Sequence, residues 1–130
     1  MQQIITHCKE QITAACHVLN TPFKTVKALF QDKEITVIKR SYKTEKDLMM
    51  EIRFDTATLS CLFDQNKLCD GVFLFPDEST NILHYIEYCS QTYSYHYLLQ
   101  GWLTNNCCIQ IHSEDNEYNL IVLPIKPTKS

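Results

Sequence analysis

From Gln2 to Leu19 the apolar residues Ile5, Cys8, Ile12, Ala15, Cys16 and Leu19 recur at three- and four-residue steps. A helix of 3.6 residues per turn gathers such positions into one stripe, so this segment is predicted to be an amphipathic helix. His7, Glu10, Thr13 and His17 fall on its opposite side and read as solvated groups. Thr21 then supplies an N-cap and Pro22 a first helical position. Phe23, Val26, Leu29 and Phe30 form a second short apolar face, so a helical hairpin is expected to open the chain.

Near Glu34 the period changes from helical to alternating. Ile35 and Val37 point one way and Thr36 and Ile38 the other, and β-branched residues favour a pleated surface. Leu48, Met50, Ile52 and Phe54 alternate with Met49, Glu51, Arg53 and Asp55, the cleanest period-2 signal in the chain. Lys43 to Lys46 supplies a polar connection, Asp55-Thr56 a tight turn, and Leu59, Cys61 and Phe63 the next alternating set. After the turn Asp64 to Lys67, Leu68 to Phe75 forms a fourth strand whose Asp70-Gly71 step predicts a bulge. Four strands in sequence with short turns imply an antiparallel meander.

Pro76 ends that strand, and Asp77, Glu78 and Ser79 offer capping oxygens and negative charge to a helix from about Glu78 to Thr92. Ile82, Ile86, Cys89 and Tyr93 are spaced to face a core. Tyr95, Tyr97 and Leu99 then alternate with His96, Leu98, Gln100 and Trp102, which reads as one strand; Cys107 to His112 and Tyr118 to Leu123 follow as two more. Pro124 and Pro127 should stop further pairing. The expected fold is a single α+β domain over residues 1–130. Its parts are an N-terminal helical hairpin, a largely antiparallel sheet of about seven strands, and one middle helix packed on the sheet.

Composition narrows the function. Apolar residues make up 45% and charged residues 21% of the chain, as in a domain that buries a core. The formal charge of −3 supplies no positive field for phosphate or anionic lipid, so neither nucleic acid nor membrane is expected as a partner. No apolar run approaches the roughly 18 residues of a membrane helix. The first ten residues lack a basic start followed by an apolar stretch, which points to a cytoplasmic protein.

Seven cysteines, Cys8, Cys16, Cys61, Cys69, Cys89, Cys107 and Cys108, are spread without any C-x2-C pair. An odd count in a reduced compartment predicts free thiols packed as small hydrophobes, not a disulfide framework or a metal centre. Cys16 and His17 are neighbours that a helix directs about 100° apart, so they form no dyad. With two glycines, no glycine-rich phosphate cradle is possible, and no catalytic motif is present. No cofactor or catalytic residue is therefore assigned. The competing reading is a small enzyme or a ligand or metal binder built from Cys89, His96, Cys107 and His112.

The compositional anomaly is aromatic. His84, Tyr85, Tyr88, Tyr93, Tyr95, His96, Tyr97 and Trp102 lie within nineteen residues. Tyr and Trp combine large apolar area with a polar handle and concentrate at the centres of protein interfaces. Glu114, Asp115 and Glu117 form an acidic run able to meet a basic partner. The expected partner-binding residues are Tyr85, Tyr88, His96, Trp102, Glu114, Asp115 and Glu117. Trp102 is expected opposite Tyr95 and Tyr97 on the sheet, unless Gly101 turns it back into the core.

In element order the chain is similar to small type III secretion chaperones, which also set strands between helices. In size, acidity and α+β build it resembles immunity proteins that neutralise bacterial toxins. Both resemblances imply a protein that masks another protein, a toxin or a secreted effector. A homodimer is also expected, paired through Tyr118 to Leu123 if that strand lies at a sheet edge.

Overall fold

A computed structural model describes residues 2–42 and 45–125. Helices α1 (Gln2–Val18) and α2 (Phe23–Leu29) are followed by strands β1 (Ile35–Tyr42), β2 (Glu45–Arg53), β3 (Ala57–Phe63) and β4 (Cys69–Pro76). A short 3₁₀ turn, Ser79–Asn81, leads into α3 (Ile82–Thr92), and β5 (Ser94–His96), β6 (Gly101–Leu103), β7 (Cys107–Glu114) and β8 (Glu117–Pro124) follow. The eight strands form one antiparallel sheet in the order β1-β2-β3-β4-β8-β7-β6-β5. The expected mixture of helix and antiparallel sheet is therefore present, with eight strands among the described residues where about seven were expected.

Directly paired residues share a face of the sheet. One row of partners runs across all eight strands: Val37, Met50, Cys61, Val72, Val122, Ile109, Trp102 and Tyr95. This is the helix-covered face. Cys8, Ile12, Ala15 and Val18 of α1 and Ile82, Tyr85 and Cys89 of α3 pack on it in one continuous core. Helix α2 joins the same side, with Phe23 edge-on to Phe63 at 5.1 Å and Phe30 edge-on to Phe54 at 5.9 Å. The opposite face carries Ile38, Met49, Leu62, Phe73 and Ile121, all half-buried, and the more exposed Phe75 and Leu123. Both the meander and the alternation of β2 follow the pattern read from the residues.

Several local details differ from that reading, each for a physical reason. Thr21 is not the cap of α2; its hydroxyl donates back to the His17 carbonyl at 3.2 Å and helps close α1. Pro22, with φ −65°, takes the N-cap position instead. Asp77 caps no helix, because its carboxylate is held bidentately by the Arg53 guanidinium, at 2.6 Å through Nη1. That pairing holds the Asp77 carboxyl below the usual carboxylate range. Ser79 accepts a hydrogen bond from the Tyr118 amide at 3.1 Å, tying the start of α3 to β8. The predicted bulge is real: β3 and β4 shift register between Leu62 and Phe63, opposite Gly71 and Cys69.

Two corrections matter for function. Strand β8 lies inside the sheet, paired with β4 on one side and β7 on the other, so it is not the free edge expected to support a homodimer. The segment Tyr95 to Trp102 is not one strand but a hairpin, β5 and β6 joined through residues 97–100. The turn of the β1–β2 connection at Lys43 and Thr44, the side chain of Ile5, and Pro127 lie outside the described residues.

Candidate functional site

The β5–β6 hairpin closes at the His96 and Gly101 pair. Its loop is drawn tight by a hydrogen bond from the Gln100 amide to the Tyr97 carbonyl at 3.2 Å, with Gln100 in the left-handed region at φ 53°. The Gln110 side chain donates to the Leu99 carbonyl at 2.8 Å and pins the loop to β7. Gly101 is required by closeness: a Cβ there would lie 2.7 Å from both Cys108 Sγ and the Ile109 carbonyl oxygen. These constraints hold the loop in a defined shape.

What the loop displays is apolar. Tyr97 is 85% exposed and Leu98 is 90% exposed, and Tyr95 and Leu99 are each almost half-exposed. Trp102, Tyr95 and Tyr97 form a ladder of edge-on rings with centroids 5.3 Å and 5.2 Å apart, running from the core to the loop. Edge-to-face contacts at such spacing favour a fixed arrangement of rings. Tyr95, Tyr97, Gln100, Trp102 and Ile111 line a cleft of about 330 Å³ beside the ladder.

The structure sorts the residues expected to bind a partner into three groups. Tyr85 and Trp102 are core residues, 2% and 6% exposed. Tyr85 completes the α3 stripe with Ile82 and Cys89 instead of standing on its flank, and its hydroxyl donates to Gln11 Oε1. Gln11 in turn donates to Thr56 Oγ1 at 2.9 Å, a buried polar relay joining α3, α1 and the β2–β3 turn. Burial pushes the Tyr85 phenol above its ordinary value. Trp102 turns inward as the cross-strand partner of Ile109, and the hairpin reversal places it on the same face as Tyr95, not the opposite one. Tyr88 is half-buried and stacks edge-on against Tyr93 at 6.1 Å.

The remaining four are exposed and gather at one end of the sheet. His96 precedes the hairpin loop and points away from the helices. Glu114 and Glu117 flank a tight turn at Asp115 and Asn116, whose φ values of 52° and 66° match a type I′ hairpin. Because Gly101 lies beside Gln110, that turn sits about 13 Å further along β7 in the same direction as the loop. His112 Nε2 lies 3.7 Å from Glu114 Oε2. Tyr95, Tyr97, Leu98 and Leu99 were not among the expected binding residues. The signal for them was the Tyr97-Leu98-Leu99 run directly before Gln100-Gly101, an apolar triplet where a turn residue was due.

The residues proposed for metal or ligand chemistry are separated by the sheet. Cys89 of α3 and Cys107 of β7 lie in the core on the helix-covered side, whereas His96 and His112 lie on the other side of the sheet. Among the described residues no group of three or more His, Cys, Asp or Glu side chains is placed to hold a metal ion. Likewise no described helix is long and apolar enough to cross a membrane. No known protein-family model, curated protein or solved structure matches the chain.

Proposed function

We propose that the chain is a non-catalytic protein-binding module that masks a protein partner, docking it on the β5–β6 hairpin. The observation that carries this is the constrained loop with Tyr97 and Leu98 almost fully exposed at its tip. Apolar side chains in a mobile loop would be unremarkable, but here the loop is hydrogen-bonded into shape. A rigid aromatic and aliphatic anchor loses little conformational freedom on binding, which is what a residue at the energetic centre of an interface needs. The acidic turn at Glu114 to Glu117 lies on the same end, so the surface fits a partner with an apolar pocket rimmed by basic groups.

The test compares the chain with a Tyr97→Ser, Leu98→Ser double variant, each purified from its native cell. A stoichiometric protein partner retained by the chain and lost at least about tenfold by the variant supports the reading. Absence of a stoichiometric partner, or equal retention by both, overturns it. If the partner is a toxin its activity should be abolished in the complex; if it is an effector it should be released intact and foldable.

A further inference from the structure

The cleft beside the aromatic ladder is built from rings and hydrogen-bond donors. Tyr95, Tyr97, Trp102 and Ile111 supply its apolar walls and Gln100 its polar rim. The rings meet nearly at right angles, 76° between Tyr95 and Trp102 and 77° between Tyr95 and Tyr97, which leaves a corner at each step of the ladder. Among the described residues neither the Gln100 side-chain amide nor the Trp102 indole N–H has a hydrogen-bond partner. Trp102 is 6% exposed, and no polar side-chain atom among the described residues is enclosed without a partner. Its indole N–H therefore reaches solvent at the cleft that Trp102 lines.

This geometry selects the kind of segment that fits. An added β-strand would draw on the free edge of β5, but that strand is only three residues long. An amphipathic helix, about 10–12 Å across and read through anchors on successive turns, needs a longer groove than a cleft of about 330 Å³ provides. A polyproline II helix makes no internal hydrogen bonds, so its carbonyl oxygens are open to donors. Proline brings no N–H of its own, so a proline-rich segment meets the indole and amide donors without leaving a donor unpaired. One turn of that helix advances about 9 Å, commensurate with the two ring steps of 5.3 and 5.2 Å from Trp102 to Tyr97. Charge adds a direction. Past Ile111, β7 reaches the acidic turn of Glu114, Asp115 and Glu117 after about 10 Å of strand, again about one polyproline turn. A basic residue one turn beyond the cleft therefore comes within range of that charge.

We infer that this cleft receives a proline-rich segment of the protein partner as a polyproline II helix, with prolines in the corners between Tyr97, Tyr95 and Trp102 and a basic residue one turn beyond, toward the acidic turn. The inference rests on the reading of the β5–β6 hairpin as the docking surface and names what docks there. The Trp102 indole N–H and the Gln100 amide donate to carbonyl oxygens of the segment, and the tyrosine rings pack on its prolines. Gln110 already pins the loop through the Leu99 carbonyl, so the rings stand in place before the segment arrives. A polyproline II segment is likewise preset, and little conformational freedom is lost on either side.

Trp102 is the only tryptophan, so its fluorescence and its indole N–H resonance report the cleft directly. Decaproline titrated into the full chain should shift both to saturation, with backbone amide shifts at Tyr95, Tyr97, Gln100 and Ile111. A Gly-Ser peptide of equal length should do neither. Decaproline ending in one arginine should bind at least about threefold tighter at low salt and lose that advantage at high salt. Tyr95→Ala should weaken decaproline at least about tenfold, with a melting curve showing that the variant is folded at the assay temperature. No saturable shift from decaproline, an equal response to the Gly-Ser peptide, or shifts that map to the groove between α1 and α2 instead would overturn the inference. If the Tyr97→Ser, Leu98→Ser variant loses the protein partner while decaproline leaves the native chain unmoved, the hairpin stands as the docking surface and the proline-rich segment is removed. A saturable decaproline response in a chain that retains no stoichiometric partner supports the cleft and overturns the masking role.

Discussion

The meander half of the sheet and the β5–β6 hairpin carry similar densities of apolar residues yet end in opposite states. In the meander, Met50, Ile52, Leu59, Cys61, Val72 and Leu74 all lie at full burial beneath α1 and its neighbours. In the hairpin, Trp102 is buried but Tyr95, Tyr97, Leu98 and Leu99 are not. The two regions differ in what lies above them. Strands of seven to nine residues give α1 and α3 a surface to cover, whereas two three-residue strands at the sheet edge end before any helix reaches the loop. Burial is set by the layer opposite, and an apolar residue beyond that layer remains available for binding.

The strongest way to break the comparison is Trp102→Ala, because Trp102 is where the hairpin joins the core. Truncating a buried tryptophan should cost about 3–5 kcal/mol, and thermal unfolding should show a large drop. A variant that melts within a degree or two of the parent would place Trp102 with the exposed rings instead. Next comes Tyr85→Phe, which leaves the ring in place and removes only the hydroxyl bonded to Gln11. Gln11 is itself buried, so its unpartnered acceptor should cost about 1–3 kcal/mol in chemical denaturation. An unchanged midpoint would mean the relay from Tyr85 through Gln11 to Thr56 adds nothing to the meander half. The smallest stability effect belongs to the Tyr97→Ser, Leu98→Ser variant, expected within about 0.5 kcal/mol because those side chains pack on little. A large loss of stability there would sharpen the comparison the other way, by showing that the loop supports the fold.

Much of the architecture was legible in the residues. The alternation from Leu48 to Asp55 specified the buried and wet faces of β2, since a period of two leaves no second solution once one face is covered. The three- and four-residue spacing of Cys8, Ile12, Ala15 and Leu19 likewise specified which side of α1 meets the sheet. The Asp70-Gly71 bulge was visible because it interrupts that alternation. These are local features, written in the periodicity of neighbouring positions.

Other properties depend on partners distant in sequence, and only the folded chain decided them. Tyr85 looked like a flank residue until Gln11, in a helix at the other end of the chain, gave its hydroxyl a buried acceptor. Tyr118 to Leu123 looked like an edge until β4 and β7 enclosed it, because strand order is a matter of packing and not of spacing. Tyr95 to Trp102 alternated as one strand, but a loop held by Gln110 and the close approach of Cys108 at Gly101 turned it into a hairpin. Periodicity states which face a side chain takes relative to its neighbours; only tertiary packing states what, if anything, lies across from that face.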